Sequence, residues 1–246
     1  MASLWRVVVT LCLLAAPARA GTSFVHKKAH SQDLVGVPAD VVKLVAGVAA
    51  ALDGQFRFPR PFRIAVDECG TDSALYSPSA HSLTVCHELW DDSFALFRMA
   101  GYDVDGAKRL AKAAVLFALF HELGHALAGE FELADSEDAA DELATMFIGQ
   151  AKDLGKEVAA NGLQWLVMMQ RDPSHKNAFH DEHALDDDRI SRLGCLLYAW
   201  DPQGYETLAK LVNVPGHRLA GCLMDETARR TAWDSRLQPH LRTPKR

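Results

Sequence analysis

The chain has 246 residues, 49% of them hydrophobic and 24% charged, with a formal net charge of −6. That is ample material for one large domain or two small ones, each with a packed core. The acidic balance argues against nucleic acid or an anionic lipid surface as the main partner.

In chain order, the first feature is Arg6 in a short polar start, an apolar stretch over 7–16, and Ala18-Arg19-Ala20, the small-x-small pattern that signal peptidases cut. We expect a signal peptide at 1–20 and a single domain at 21–246, exported to the periplasm or the extracellular space. The apolar stretch falls short of the roughly 20 residues that span a bilayer, and no later segment reads as a span. Loss of the leader removes Arg6 and Arg19 and no acid, so the formal charge moves from −6 to −8. It also removes Cys12 and leaves Cys69, Cys86, Cys195 and Cys222, an even number in an oxidising compartment. We expect Cys69 to pair with Cys86 and Cys195 with Cys222, since each closes a short loop worth about 3 kcal/mol in the loop-entropy model. A zinc knuckle built from all four lacks the C-x2-C spacing it needs.

After a polar lead, Pro38-Ala39-Asp40 opens a stretch in which Val41, Leu44, Val45, Val48 and Leu52 recur at helical spacing, up to Asp53-Gly54. "PFRIAVDEC" then reads as a strand with Phe62, Ile64 and Val66 on one face. A hairpin follows, with a strand around Leu75 and Tyr76, a turn at Ser77-Pro78-Ser79 and a return strand at 82–86. "CHEL", with His87 and Glu88, reads as strand and is discounted as a metal motif because Asp91 stands at the partner position. Residues 104–129 form a long helix with a charged beginning and an apolar second half. Ser136 can cap a second helix at 137–154. Helical patterns continue at 162–170, 188–200 and 205–212, broken by Asp201-Pro202-Gln203-Gly204. Strands first and helices afterwards predict an α+β domain, a small sheet with an edge hairpin packed on a mainly helical body.

The chemistry lies in "FALFHELGHALAGE" at 117–130. His121-Glu122-Leu123-Gly124-His125 is H-E-x-x-H, and on a helix its i and i+4 imidazoles share one face and can reach one metal ion. Glu122 lies about 100° round from His121, beside the ion and not on it, where it can hold a water. Random placement of 11 His and 11 Glu yields this pattern only about 0.02 times per chain. Two imidazoles and a carboxylate in an apolar run need partners, and a metal supplies them together.

A catalytic zinc needs a third protein ligand and an open position. The extended H-E-x-x-H-x-x-G-x-x-H form is excluded, because Ala128 and Phe131 replace its Gly and His. "SEDAADELA" offers Glu137 and Asp141, again i and i+4 on one helix face. A short connection makes the two helices antiparallel, which sets Glu137 level with His125 and Asp141 level with His121. Glu137 then becomes the third ligand, and Asp141 accepts the second ring N–H of His121. Asp138 and Glu142 are the alternatives, and an acidic first turn favoured by the helix dipole is the bland reading.

H-E-x-x-H followed by E-x-x-x-D resembles the gluzincins, the thermolysin-like branch of the zinc metallopeptidases. "DECGTDSALYSPSAHSLTVCHEL", "HELGHAL", "EDAADELA", "DEHALDDDRISRLGCLLYAWDP" and "WDSRLQPHLR" together resemble a bacterial family of exported metallopeptidase-like proteins of otherwise unknown function. The likeness covers nearly all of the chain after the leader. That family typically has Asn-Ala-Phe-Tyr where this chain has Ser73-Ala74-Leu75-Tyr76.

The resemblance implies a zincin-like fold, one Zn2+ per chain and hydrolysis of a peptide or protein substrate with Glu122 as general base. It also implies a later His or Tyr as donor to the oxyanion. "FHDEHALDDDR" offers His180, His183 and Arg189, and His183 is chosen because Asp181-Glu182-His183 falls within the matching stretch. In zincins an extended substrate adds to an edge strand; the strand at 82–86 is expected to be that edge, pinned by Cys69–Cys86. Three other readings stay open: an exported zinc-binding protein without turnover, a zinc hydrolase of a non-peptide amide, and a purely structural helical domain that holds no stoichiometric metal.

Overall fold

The computed structural model describes residues 21–171 and 186–242. The expected leader at 1–20, the expected site residue His183 and the candidate His180 lie outside the described residues. The architecture is α+β. The strands are β1 (Thr22–His26), β2 (Phe62–Asp67), β3 (Ala74–Ser77) and β4 (Ser82–Cys86), with α1 (Ala39–Gln55) between the first two. Then come α2 (His87–Met99), α3 (Val104–Glu130), α4 (Glu137–Gln150), α5 (Lys152–Arg171), α6 (Asp187–Trp200), α7 (Pro202–Leu211) and α8 (Gly216–Leu237).

The sheet has the order β1-β2-β4-β3, with β1, β2 and β4 parallel and β3 antiparallel to β4. Alternation drives its packing: Phe62, Ile64 and Val66 of β2 and Leu83 and Val85 of β4 are fully buried in the core. The hairpin falls where expected, but β4 is an inner strand and β3 is the edge. The reason is that β2 takes the far side of β4, a pairing that the local hairpin pattern does not encode. The strand β1 escapes sequence reading because its five residues are mostly exposed and gain their ladder only from the distant β2.

"CHEL" also resolves differently from expectation. The strand stops at Cys86, and His87 opens α2, whose buried Leu89, Trp90, Ser93, Leu96 and Phe97 recur at helical spacing around the polar Asp91-Asp92. The His87 ring ties the lead segment down: its Nδ1 accepts from Val37 N at 3.0 Å and its Nε2 lies 2.8 Å from Lys27 O. Glu88 accepts from Cys69 N at 3.0 Å. Both residues therefore serve structure.

The long helix α3 is the centre of the molecule. By length and composition it could cross a membrane, contrary to the sequence reading, but the fold buries 89% of its most apolar stretch. It packs against α2, α4 and α5, and β3 and β4 also touch it. Its polar start, Asp105 with Lys108 and Arg109, is what hides this length from a sequence scan. Disulfides join Cys69 to Cys86 and Cys195 to Cys222. The first anchors the segment after β2 to the end of β4, the second links α6 to α8, and both are compatible with an exported protein.

One glycine sets the spacing that matters for the site. A Cβ on Gly124 would lie 2.6 Å from both the Cα and the carbonyl O of Ala140, so α3 and α4 approach backbone to backbone only because Gly124 has none. Neither contact atom can swing aside. Gly124→Ala is expected to cost about 1–3 kcal/mol or more by overpacking. That lowers the Tm by several degrees, and an unchanged melting curve would contradict the close approach.

Candidate metal centre

Helix α3 carries His121, Glu122 and His125 buried among Phe117, Leu119, Phe120 and Leu123. Helix α4 starts at Glu137 because Ser136, in extended conformation, caps it by accepting from Ala139 N at 3.1 Å. The turn at 131–136 sends α4 back along α3, and the Gly124 contact brings the two helices close. Glu137 thereby meets His125, and Asp141 meets His121.

Three donor groups converge at the crossing. The two Nε2 atoms of His121 and His125 are 3.2 Å apart. His121 Nε2 lies 3.4 Å from Glu137 Oε2, and His125 Nε2 lies 3.3 Å from Glu137 Oε1. Ligands bound at 2.0–2.2 Å around a tetrahedral ion stand about 3.3–3.6 Å apart, so each pair of groups is near the spacing that one small cation requires, with His121 and His125 facing different oxygens of Glu137. The alternatives are employed elsewhere: Asp138 pairs with Arg192 at 2.6 Å, and Glu142 accepts from Trp233 Nε1 at 2.7 Å.

Each imidazole is held from behind. His121 Nδ1 is 2.9 Å from Asp141 Oδ1, and His125 Nδ1 is 2.8 Å from Asp135 Oδ1. These carboxylates hold the Nδ1–H tautomers and leave Nε2 turned toward the centre. Glu122 accepts the backbone N–H of Tyr76 at 2.7 Å, so it faces the edge strand β3. The Tyr76 hydroxyl donates to the buried Glu130 at 3.0 Å, which His81 Nδ1 also approaches at 2.9 Å. Beside His121, Glu122 and Arg189 is a cavity of about 20 Å3, the size that holds a single water.

The chain belongs to the protein family described as "Putative metallopeptidase", whose model matches residues 28–237. Neither a curated protein nor a solved structure matches the chain. The family's description suggests a metal-dependent peptidase role and implies a metal ion. The residues present fit one: two neutral-capable imidazoles and a carboxylate converge in a buried pocket, each imidazole held from behind by a further carboxylate.

Two participants escaped sequence reasoning. Asp135 sits in the turn, where no periodicity places it; its only signal is that it stands next to the cap of α4. Arg189, considered only as an oxyanion donor, is instead committed to Asp141, with Nε and Nη2 each 2.9 Å from a carboxylate oxygen. His183, the preferred donor, lies outside the described residues.

The charges respond to this crowding. Burial raises the Asp141 carboxyl, but hydrogen bonds from His121 and Arg189 outweigh it and hold its pKa below the usual range. For His121, burial pulls the pKa down, while hydrogen bonds to Asp141 and Glu137 lift it from 6.5 to about 9 in the metal-free protein. A folded pKa raised above the unfolded value stabilises fully below 6.5, and that contribution is lost as pH rises through about 9. The metal-free protein is therefore expected to lose thermal stability over this interval. Bound metal removes the trend, since a ligating imidazole must be neutral. Melts across pH with and without chelator check this, and a flat metal-free profile would contradict it.

Proposed function

We propose that this protein is an exported zinc-dependent peptidase of gluzincin type, with His121, His125 and Glu137 holding one zinc ion and Glu122 acting as general base. The observation that carries this reading is the convergence of three donor groups: the Nε2 atoms of His121 and His125 stand 3.2 Å apart and lie 3.4 and 3.3 Å from Oε2 and Oε1 of Glu137, with Glu122 lining the same cavity as His121. Two nitrogens and one carboxylate form a donor set that suits zinc and leaves one position open, as catalytic sites require. When bound, zinc supplies Lewis acidity and makes water an available nucleophile near neutral pH.

The chain's own groups do the rest. Glu122, oriented by the Tyr76 N–H, takes the proton from the attacking water and passes it to the departing amine. His183 is the proposed hydrogen-bond donor to the developing oxyanion. Glu122 is not needed for coordination, so its presence supports turnover over mere metal storage.

The edge strand β3 is the proposed substrate platform. Cys86 N donates to Ser73 O, so the alternation of an antiparallel ladder turns the backbone groups of Ala74 and Tyr76 away from β4. The N–H of Tyr76 points at Glu122 accordingly. With the Tyr76 N–H held by Glu122, an extended peptide would pair along this edge through the remaining backbone groups of Ala74 and Tyr76, which would bring its carbonyl past Glu122.

The decisive experiment measures zinc content and hydrolysis of casein or a peptide library, before and after chelator treatment and zinc restoration. One zinc per chain with activity that follows the metal supports the proposal. Lack of stoichiometric metal, or hydrolysis indifferent to chelation, sinks it.

A further inference from the structure

Arg189 supplies no ligand to the candidate centre, yet it is only 5% exposed and reaches the site from α6, apart from both helices that carry the donors. Its Nε and Nη2 each donate to Asp141 at 2.9 Å, and its Nη1 stands 2.8 Å from Glu137 Oε2. A single planar fork therefore grips two carboxylates, a geometry that a lysine cannot reproduce. Buried ion pairs are weak devices for stability alone, because desolvation offsets their attraction. A different role accounts for this one.

We infer that Arg189 is a positioning residue for the metal: by occupying Glu137 Oε2 it presents Oε1 as the single ligand atom, and by clamping Asp141 it locks the His121 ring. This rests on the metal site proposed above, though not on turnover. An oxygen held in an ion pair with a guanidinium has less negative charge to offer a cation, so Oε1, 3.3 Å from His125 Nε2, is the better donor, although Oε2 lies 3.4 Å from His121 Nε2. Keeping Glu137 to one oxygen also preserves the open position that catalysis needs. Electrostatics alone predicts the opposite consequence, because a guanidinium repels a divalent ion and its removal would tighten binding. The sign of the effect thus separates orientation from charge.

The test is the affinity for zinc and for cobalt(II), measured by competition with a chromogenic chelator, together with the visible spectrum of the cobalt form. Wild type, Arg189→Met, Arg189→Lys and Arg192→Met are compared, with circular dichroism melts of the metal-free proteins to establish the folded fraction. Arg192, its side chain 38% exposed, pairs with Asp138 at 2.6 Å and stands 3.8 Å from Asp141 Oδ2, beyond hydrogen-bond reach, so it serves as the control for a nearby charge without the clamp. Both Arg189 variants are expected to bind about 10- to 100-fold more weakly and to shift the cobalt spectrum, while Arg192→Met stays close to wild type. A purely structural role would lower the melting temperature and leave the affinity of the folded protein unchanged. Wild-type or tighter affinity in Arg189→Met, or full recovery in Arg189→Lys, overturns the inference and leaves the proposed function standing. A wild type that binds no metal removes both. Should Arg189→Met not fold, Arg189→Lys carries the test, since it keeps the charge that Asp141 faces.

Discussion

Glu122→Gln is expected to keep one zinc per chain and to lower kcat for peptide hydrolysis by about 10²- to 10⁴-fold, the range for loss of a general base. The amide has nearly the same shape as the carboxylate, and its carbonyl oxygen can still accept the Tyr76 N–H that orients the side chain at 2.7 Å. What it cannot do is take a proton from water. Glu122 is buried in the apolar half of α3, where an ionised group is costly unless a partner or a task retains it. Metal analysis and steady-state kinetics on the same preparation separate the two functions. Equal turnover by the variant and the wild type would remove Glu122 from the mechanism.

Asp141→Ala is expected to destabilise the metal-free protein by about 3–5 kcal/mol, the usual consequence of removing one partner of a buried charge pair. Asp141 is 0% exposed and receives two hydrogen bonds from Arg189, with His121 Nδ1 at 2.9 Å. Deletion removes a carboxylate partner from a buried guanidinium and from a buried imidazole at once. Glu137 still faces Arg189, with Nη1 2.8 Å from Oε2, but its side chain is 27% exposed. For a chain of this size the loss corresponds to a fall in Tm of roughly 6–20 °C. Denaturant titration of the chelated variant gives the number directly; a loss below about 1 kcal/mol, the range of exposed pairs, would mean that the network does not hold the helices together.

Helices α3 and α4 show why some of this was legible. The i and i+4 spacing of His121 and His125 is a property of one helix, and 3.6 residues per turn place both rings on one side whatever surrounds them. The cap at Ser136 and the shortness of the turn then determine the direction of α4, so Glu137 and Asp141 follow in register. Disulfide partners close in sequence obey the same local logic. The edge of the sheet did not, because the hairpin pattern is identical whether β4 or β3 is outermost.

What the sequence determined by itself, then, is everything carried by short-range geometry: the helix faces, the caps, the hairpin, and the local pairs of cysteines. Only the tertiary structure decided that β1 and β2 cover one side of β4, that β3 becomes the open edge facing Glu122, and that Arg189, distant along the chain, closes over Glu137 and Asp141. Such contacts arise when separate elements bury their apolar faces against α3, and the free energy of that burial depends on all of the packed surfaces together. No single window of residues encodes it.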